Sequence, residues 1–181
     1  MGWRGLRMAI DRPGFIRPQM RALLAAAAGR DIWVLFAMVT LASEIDAAKE
    51  LLQREISRFE NLGSKLPKTI KIGAMIETPA AVWRFEEIAK RVDFVSVGGN
   101  DLAQFYFAAD RESESTQRRY DPISPGFLSF LKLLVDKAAS AKTPLSYCGE
   151  QAADLLMAAA LVGLGVTRFS IPATSVGPFR R

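Results

Sequence analysis

Unbroken apolar runs alternate along this chain with segments whose apolar positions recur every three to four residues. The run Ile32-Trp33-Val34-Leu35-Phe36-Ala37-Met38-Val39 has the pattern of a strand covered on both faces. A helix is predicted from about Leu41, with Ser43 and Asp46 as its capping box. Ile45, Ala48, Leu52, Ile56 and Phe59 lie on its inner face, and Gly63 stops it. Residues 70–76 predict a second strand that ends at Glu77. Thr78-Pro79 then begins a helix carrying Val82, Phe85 and Ala89 inward. A third strand is predicted over 94–97, running into the turn Gly98-Gly99-Asn100-Asp101. Ser124-Pro125 opens a helix with Leu128, Leu131, Val135 and Ala138 on one face. A fourth strand over 144–148, a helix over 151–161 and a fifth strand over 168–171 follow, and the polar stretch 110–121 reads as a long surface loop.

Strands that alternate with helices imply right-handed crossovers and a parallel sheet. In open α/β sheets and in barrels alike, ligands sit at the C-terminal edge of the strands. Glu77, Asn100-Asp101 and Cys148 each end a predicted apolar strand, so they point to one shared site.

Composition removes several chemistries. The 181 residues contain one cysteine and no histidine. An intramolecular disulfide, a thiolate zinc site, a Ser-His-Asp or Cys-His triad and a phosphohistidine on this chain are thereby excluded. The longest notable apolar stretch, 155–166, is too short and glycine-broken to span a bilayer, and residues 1–15 lack a signal-peptide pattern, so a soluble cytoplasmic protein is expected. The net charge of +5 is concentrated at the start: the first thirty residues carry six arginines and one acid, leaving 18 basic and 18 acidic residues in the remainder. Three readings of those arginines compete. They form a nucleic-acid or membrane patch, or a solvated face whose acidic partners lie outside this chain, or they include ligands for an anionic substrate.

Glu77 and Asp101 are 24 residues apart, one strand-helix-strand step, which places them on neighbouring strands facing one pocket. Two carboxylates so placed repel unless a proton or a cation lies between them. Without histidine or a cysteine cluster, the hard-ligand option is Mg²⁺ or Mn²⁺. The competing reading makes Glu77 a helix N-terminal acid beside Thr78-Pro79. Arg4 and Arg111 have the planar fork suited to phosphate or carboxylate. Cys148 is either a small buried hydrophobe or, before Gly149-Glu150 at a strand end, a thiol proton donor.

Taken together, Gly73-Ala74-Met75-Ile76-Glu77-Thr78-Pro79-Ala80-Ala81, the segment from Val92 through Gly98-Gly99-Asn100-Asp101-Leu102, and Tyr147-Cys148-Gly149-Glu150 resemble the C-terminal barrel of the phosphoenolpyruvate-utilising enzymes. Gly2-Trp3-Arg4, Ala108-Ala109-Asp110-Arg111 and Tyr120-Asp121-Pro122 fit its enzyme I branch, the phosphoenolpyruvate–protein phosphotransferases. Phe169-Ser170-Ile171-Pro172-Ala173 and Gly177-Pro178 are more similar to that branch's nitrogen-regulatory members. The resemblance implies a parallel (β/α) barrel of TIM type, incomplete here, with residues 1–181 as a partial phosphoenolpyruvate-binding domain. It implies Mg²⁺ (or Mn²⁺) on Glu77 and Asp101, phosphate on Asn100, the moving phosphoryl group on Arg4 and Arg111, and Cys148 as the acid that protonates the enolate carbon. It further implies a histidine-containing phosphocarrier partner, a homodimer, phosphoenolpyruvate and pyruvate as small molecules, and no nucleic-acid or membrane partner.

A complete barrel of this kind takes about 250 residues; five strands are counted here, so a fragment is expected, inactive and prone to self-association on its own. The sibling dikinase and synthase barrels share the Glu, Asn-Asp and Cys-Gly-Glu elements and stand as a second reading. Gly99 replaces the family's usual Thr or Ser, Ala37 its usual proline, and Gln151-Ala152-Ala153 its usual Met-Ala-Gly. Those departures favour a third reading, a non-catalytic remnant with a strained loop at Ala153.

Overall fold

In the computed structural model, which describes residues 2–110, 113 and 119–179, five parallel strands form one sheet in the order β1-β2-β3-β4-β5. Helices α1 (Leu6–Asp11) and α2 (Pro13–Ala26) precede β1 (Asp31–Val39), and α3 (Ala42–Asn61) leads to β2 (Thr69–Ile76). Then come α4 (Pro79–Trp83), α5 (Phe85–Ala89), β3 (Phe94–Gly98) and α6 (Gly99–Phe107). The second half contains α7 (Pro125–Ser140), β4 (Leu145–Cys148), a 3-10 turn (Glu150–Ala153) and α8 (Leu155–Leu164). It closes with β5 (Phe169–Ser170), a second 3-10 turn (Ala173–Ser175) and α9 (Val176–Phe179). Neighbours in sequence are neighbours in the sheet, as strand-helix-strand crossovers dictate. Among the described residues β1 and β5 are edges, so the sheet is a barrel wall that does not close.

The core lies between the sheet and its helices. Val95 and Val97 of β3 meet Phe85 and Ile88 of α5, Phe127, Leu131 and Leu134 of α7, and Leu161 of α8 in one buried cluster. The inner face of α7 is therefore Phe127, Leu131, Leu134 and Ala138, with Leu128 and Val135 at its margin. In α5 the inward residue is Ile88 rather than Ala89, which is partly buried.

Several element boundaries differ from expectation for local reasons. The capping acid of α3 is Glu44, whose carboxylate accepts from the backbone N–H of Thr40 and Leu41 at 2.7 and 2.8 Å, so Ser43 and Asp46 do not form the box. The helix after Thr78 breaks at Arg84 into two short pieces. Residues 98–101 are not a turn: Gly99 already begins α6. The helix expected from Gln151 starts at Leu155, because Asp154 caps it by accepting from the Met157 N–H at 2.8 Å. Most of the stretch 110–121, with Arg111, lies outside the described residues.

Candidate active site

Strand β1 contains one residue more than its partner over the same length: Phe36 pairs with Ala74, and the next pair is Val39 with Ile76. This is a β-bulge, and it re-aims the backbone at the strand's end. Within it Met38 adopts φ +61°, a left-handed conformation that costs a non-glycine residue free energy. The reward is a hydrogen bond from the Met38 N–H to Glu77 Oε2 at 2.7 Å.

Glu77 follows directly on β2, where the polypeptide turns into the Thr78 cap, whose hydroxyl accepts from the Ala81 N–H at 3.2 Å. Its side chain is 4% exposed. A Cβ at Gly98 would lie 2.5 Å from Glu77 Cγ, so β3 ends in glycine where it cradles this carboxylate. Asp101, in the first turn of α6, is close enough to Glu77 for its charge to act on it, so the two neighbouring strand ends meet at one site. Burial pushes the Glu77 carboxyl above the usual carboxylate range. The Met38 N–H opposes that shift, the Asp101 charge adds to it, and Arg4 opposes it more weakly.

Arg4 supplies the positive charge. Its Nη2 donates to Asp101 Oδ1 and also lies 3.4 Å from Met38 Sδ, so the N-terminal turn arches over the end of β1 onto the start of α6. Asn100 precedes Asp101. Its Oδ1 is buried and has no hydrogen-bond partner among the described residues, and it packs where a Cβ on Gly149 would come within 2.8 Å.

Cys148 ends β4 beside Gly98, its register partner on β3. The thiol donates to the Val97 carbonyl at 3.3 Å and accepts from Ser96 Oγ at 3.4 Å, while Ser146 Oγ donates to Ser96 Oγ at 3.0 Å. Burial pushes the thiol up, the Ser96 bond pulls it down, and the charges of Glu77 and Asp101 push it further up. It therefore stays protonated at neutral pH, as an acid must.

Five of the six residues singled out in the sequence, Arg4, Glu77, Asn100, Asp101 and Cys148, thus converge on the C-terminal edge of β1–β4; the sixth, Arg111, lies outside the described residues. Sequence reasoning missed the Met38 N–H, the Gly98 cradle, Ser96 and Ser146. Ser96 was signalled, since it is the polar residue in the otherwise apolar run 94–97. Nothing in sequence signalled Met38.

The N-terminal arginines find partners inside the chain. Arg17 donates to Glu55, Arg21 lies 3.5 Å from the same carboxylate, Arg7 donates to Thr40 Oγ1 at 2.7 Å, and Arg12 stacks over the Trp3 ring. Arg4 meets Asp101, and Arg17 and Arg21 share Glu55, so for these three arginines the reading that placed their acidic partners outside the chain is corrected. Ala153 has no positive φ and incurs no strain, while Gly149 beside Cys148 retains φ +119°.

Comparison with known proteins identifies the family. The family described as PEP-utilising enzyme, PEP-binding domain, matches residues 1–181. A phosphoenolpyruvate-protein phosphotransferase from Staphylococcus carnosus is 37% identical over 181 residues, covering 100% of this chain and 32% of that protein. A protein named phosphoenolpyruvate-dependent phosphotransferase system, from Escherichia coli K12, is 39% identical over 178 residues, covering 97% of this chain and 24% of that protein. The chain thus spans at most about a third of the length of these curated relatives. Among solved structures, a citrate lyase from Burkholderia xenovorans superposes with a TM-score of 0.64 at 18% identity, covering 94% of this chain and 54% of that one. A pyruvate kinase from Cryptosporidium parvum superposes at 0.56 and 15% identity, over 77% of this chain and 27% of that one. At such identities the likeness concerns the fold alone.

Proposed function

The chain belongs to the PEP-binding domain family of the phosphoenolpyruvate-utilising enzymes, and from that premise we propose that it is the substrate-binding part of a phosphoenolpyruvate–protein phosphotransferase. The observation that carries this reading is the convergence of two carboxylates, an arginine, a buried amide and a protonated thiol at one sheet edge. The family resemblance implies a histidine acceptor, and this chain has none, so in this reading the acceptor belongs to another part of the protein.

Among the described residues no three His, Cys, Asp or Glu side chains group into a metal cage. The donor set is nonetheless right for a hard dication: two carboxylates in reach of each other and the buried, unpartnered Asn100 Oδ1 are all oxygen ligands. Glu77 and Asp101 would hold Mg²⁺ or Mn²⁺, and such an ion would supply charge neutralisation to the reacting group.

The chain's own residues then have separable tasks. Arg4 leaves Asp101 for the phosphoryl oxygens, and the Asn100 amide donates to the same group, holding it in line for the acceptor. The bond between phosphorus and the bridging oxygen breaks, a bond from phosphorus to the acceptor nitrogen forms, and the electron pair stays on the enolate oxygen. The enolate collapses to pyruvate as its terminal carbon takes the proton of Cys148, and the thiolate regains a proton from water. Met38 and Gly98 hold Glu77 in place throughout. A histidine-containing phosphocarrier protein is the acceptor's onward partner in this reading, and neither nucleic acid nor membrane takes part. Among the described residues no helix is long and apolar enough to cross a membrane.

Calorimetric titration with oxalate, an enolpyruvate mimic, tests the reading. Binding that requires Mg²⁺ and is lost in Glu77→Ala is the expected result. Absence of Mg²⁺-dependent binding by folded protein overturns it.

A further inference from the structure

Gly99 and Gln151, on two different segments, both touch one side chain, Tyr147. A Cβ at Gly99 would lie 2.2 Å from the Tyr147 Oη, 2.5 Å from its Cζ and 2.7 Å from its Cε1. No threonine or serine fits there while the ring remains. The ring has nowhere to go, because Tyr147 is 0% exposed and packed into the core cluster. Gly99 has no positive φ, so it is glycine for want of space rather than for backbone freedom. On its other side the phenol donates to Gln151 Oε1 at 3.3 Å. Burial holds the phenol well above its ordinary pKa, so it stays a neutral donor.

Gly99 and Tyr147 are a matched packing pair, since the buried ring occupies the volume that any side chain at position 99 would need. The location gives the match its consequence. Gly99 is the first residue of α6, and the next two are Asn100 and Asp101. Tyr147 is followed by Cys148 and by Gly149, which closes on Asn100 from a second side.

We propose that Tyr147 is a positioning residue of the site: its ring, lodged against Gly99 and tied to Gln151, sets the first turn of α6 and thereby the placement of Asn100 and Asp101 relative to Cys148. The role rests on the functional reading above insofar as those residues bind substrate and metal; the packing relationship itself does not.

The test uses the whole chain in two measurements, oxalate affinity in Mg²⁺ and the backbone amide resonances of Asn100 and Asp101 without ligand. Gly99→Thr is expected to displace both resonances and to weaken oxalate about tenfold or more, since misplacement by about 1 Å costs up to roughly a hundredfold. Tyr147→Val displaces them too by leaving a void, and Tyr147→Phe, which keeps the volume, stays within about twofold of the parent, as expected for loss of a single neutral hydrogen bond. The double variant Gly99→Thr/Tyr147→Val, in which the new side chain occupies the vacated space, returns the resonances and the affinity toward parental values. A merely structural role would change the melting temperature while leaving affinity and resonances in place. Parental affinity and resonances in Tyr147→Val, or a double variant no closer to the parent than Gly99→Thr, overturn the proposal. If Tyr147→Val does not fold, the double variant against Gly99→Ala decides in the same way. A parent that binds no oxalate defeats the functional reading alone, and the resonances then still confirm or overturn the positioning role.

Discussion

The guanidinium of Arg4 rests on the carboxylate of Asp101 and joins the N-terminal turn to the start of α6 across 97 residues of sequence. Both partners keep contact with water, with side-chain exposures of 46% and 14%. Such a pair adds little to stability, typically within about 1 kcal/mol. In the proposed function, its value lies in holding a cation ready for the phosphoryl group at the mouth of the site.

Arg4→Met is therefore expected to leave the melting temperature nearly unchanged and to weaken phosphoenolpyruvate by roughly ten- to a hundredfold, the scale of one or two lost charge-assisted bonds. Oxalate, which has no phosphate, should bind with close to parental affinity. Calorimetry with both ligands checks this; equal losses for the two would assign Arg4 to the carboxylate end instead.

Glu77 binds its proton more tightly in the folded chain than in the unfolded one, because burial and Asp101 raise its pKa. Its contribution to stability is thus fully present below the unfolded carboxyl value and lost as pH rises through the raised folded value. In metal-free buffer Glu77→Gln should melt above the parent at neutral pH and converge with it near about pH 4, where the unfolded carboxyl is also protonated. The same variant should lose Mg²⁺-dependent oxalate binding. Melting curves over pH, with and without Mg²⁺, read both effects.

The Cys148 thiol is held up by burial first and by Glu77 and Asp101 after it. Since only the thiolate alkylates, iodoacetamide should react with Cys148 more slowly at pH 7 than with a free thiol. Removing the charge in Glu77→Gln should speed the reaction, because one of the groups that raise the thiol is gone. Rates measured by mass spectrometry decide; an unchanged rate in Glu77→Gln would show that the carboxylate does not reach the thiol.

Away from the site, Glu55 on α3 is 0% exposed and is met by Arg17 and Arg21 of α2. Removing both arginines strands a buried carboxylate, and breaking such pairs costs about 3–5 kcal/mol. Arg17→Ala/Arg21→Ala should accordingly be much less stable in urea than Glu55→Gln, which removes the charge together with its need for a partner. Equal midpoints would mean that the arginines contribute packing alone.

The strands were legible as apolar runs at 32–39, 70–76 and 94–97. The expectation that 32–39 is covered on both faces is corrected: among the described residues β1 is an edge strand with Trp33 and Leu35 exposed, and only its other face is packed. Glu77, Asp101 and Cys148 were legible as polar endings to those runs. What sequence hid was anything made by two distant segments at once. The Gly-Gly-Asn-Asp stretch has turn composition, yet Gly99 starts a helix because Tyr147, 48 residues later, lies against it. The basic N-terminus suggested an unbalanced surface because its acids, Glu55 and Asp101, are far along the chain. The Glu44 cap was missed for a nearer reason: its carboxylate reaches back to N–H groups ahead of the helix, and Ser43 looked the better cap.

The bulge at Met38 sets the arithmetic of the whole edge. Upstream of it, exposed and buried residues alternate along β1; at Met38 and Val39 two buried residues stand side by side. One surplus residue thus works as a change of phase between the strand that builds the wall and the backbone that serves the carboxylate. Deleting Ala37 would let β1 pair evenly with β2 to its last residue, a gain in regular hydrogen bonding. The Met38 N–H would return to the ladder, and Glu77 would be left buried and unanswered. In this wall, the residue that the sheet could do without is the one that the site counts from.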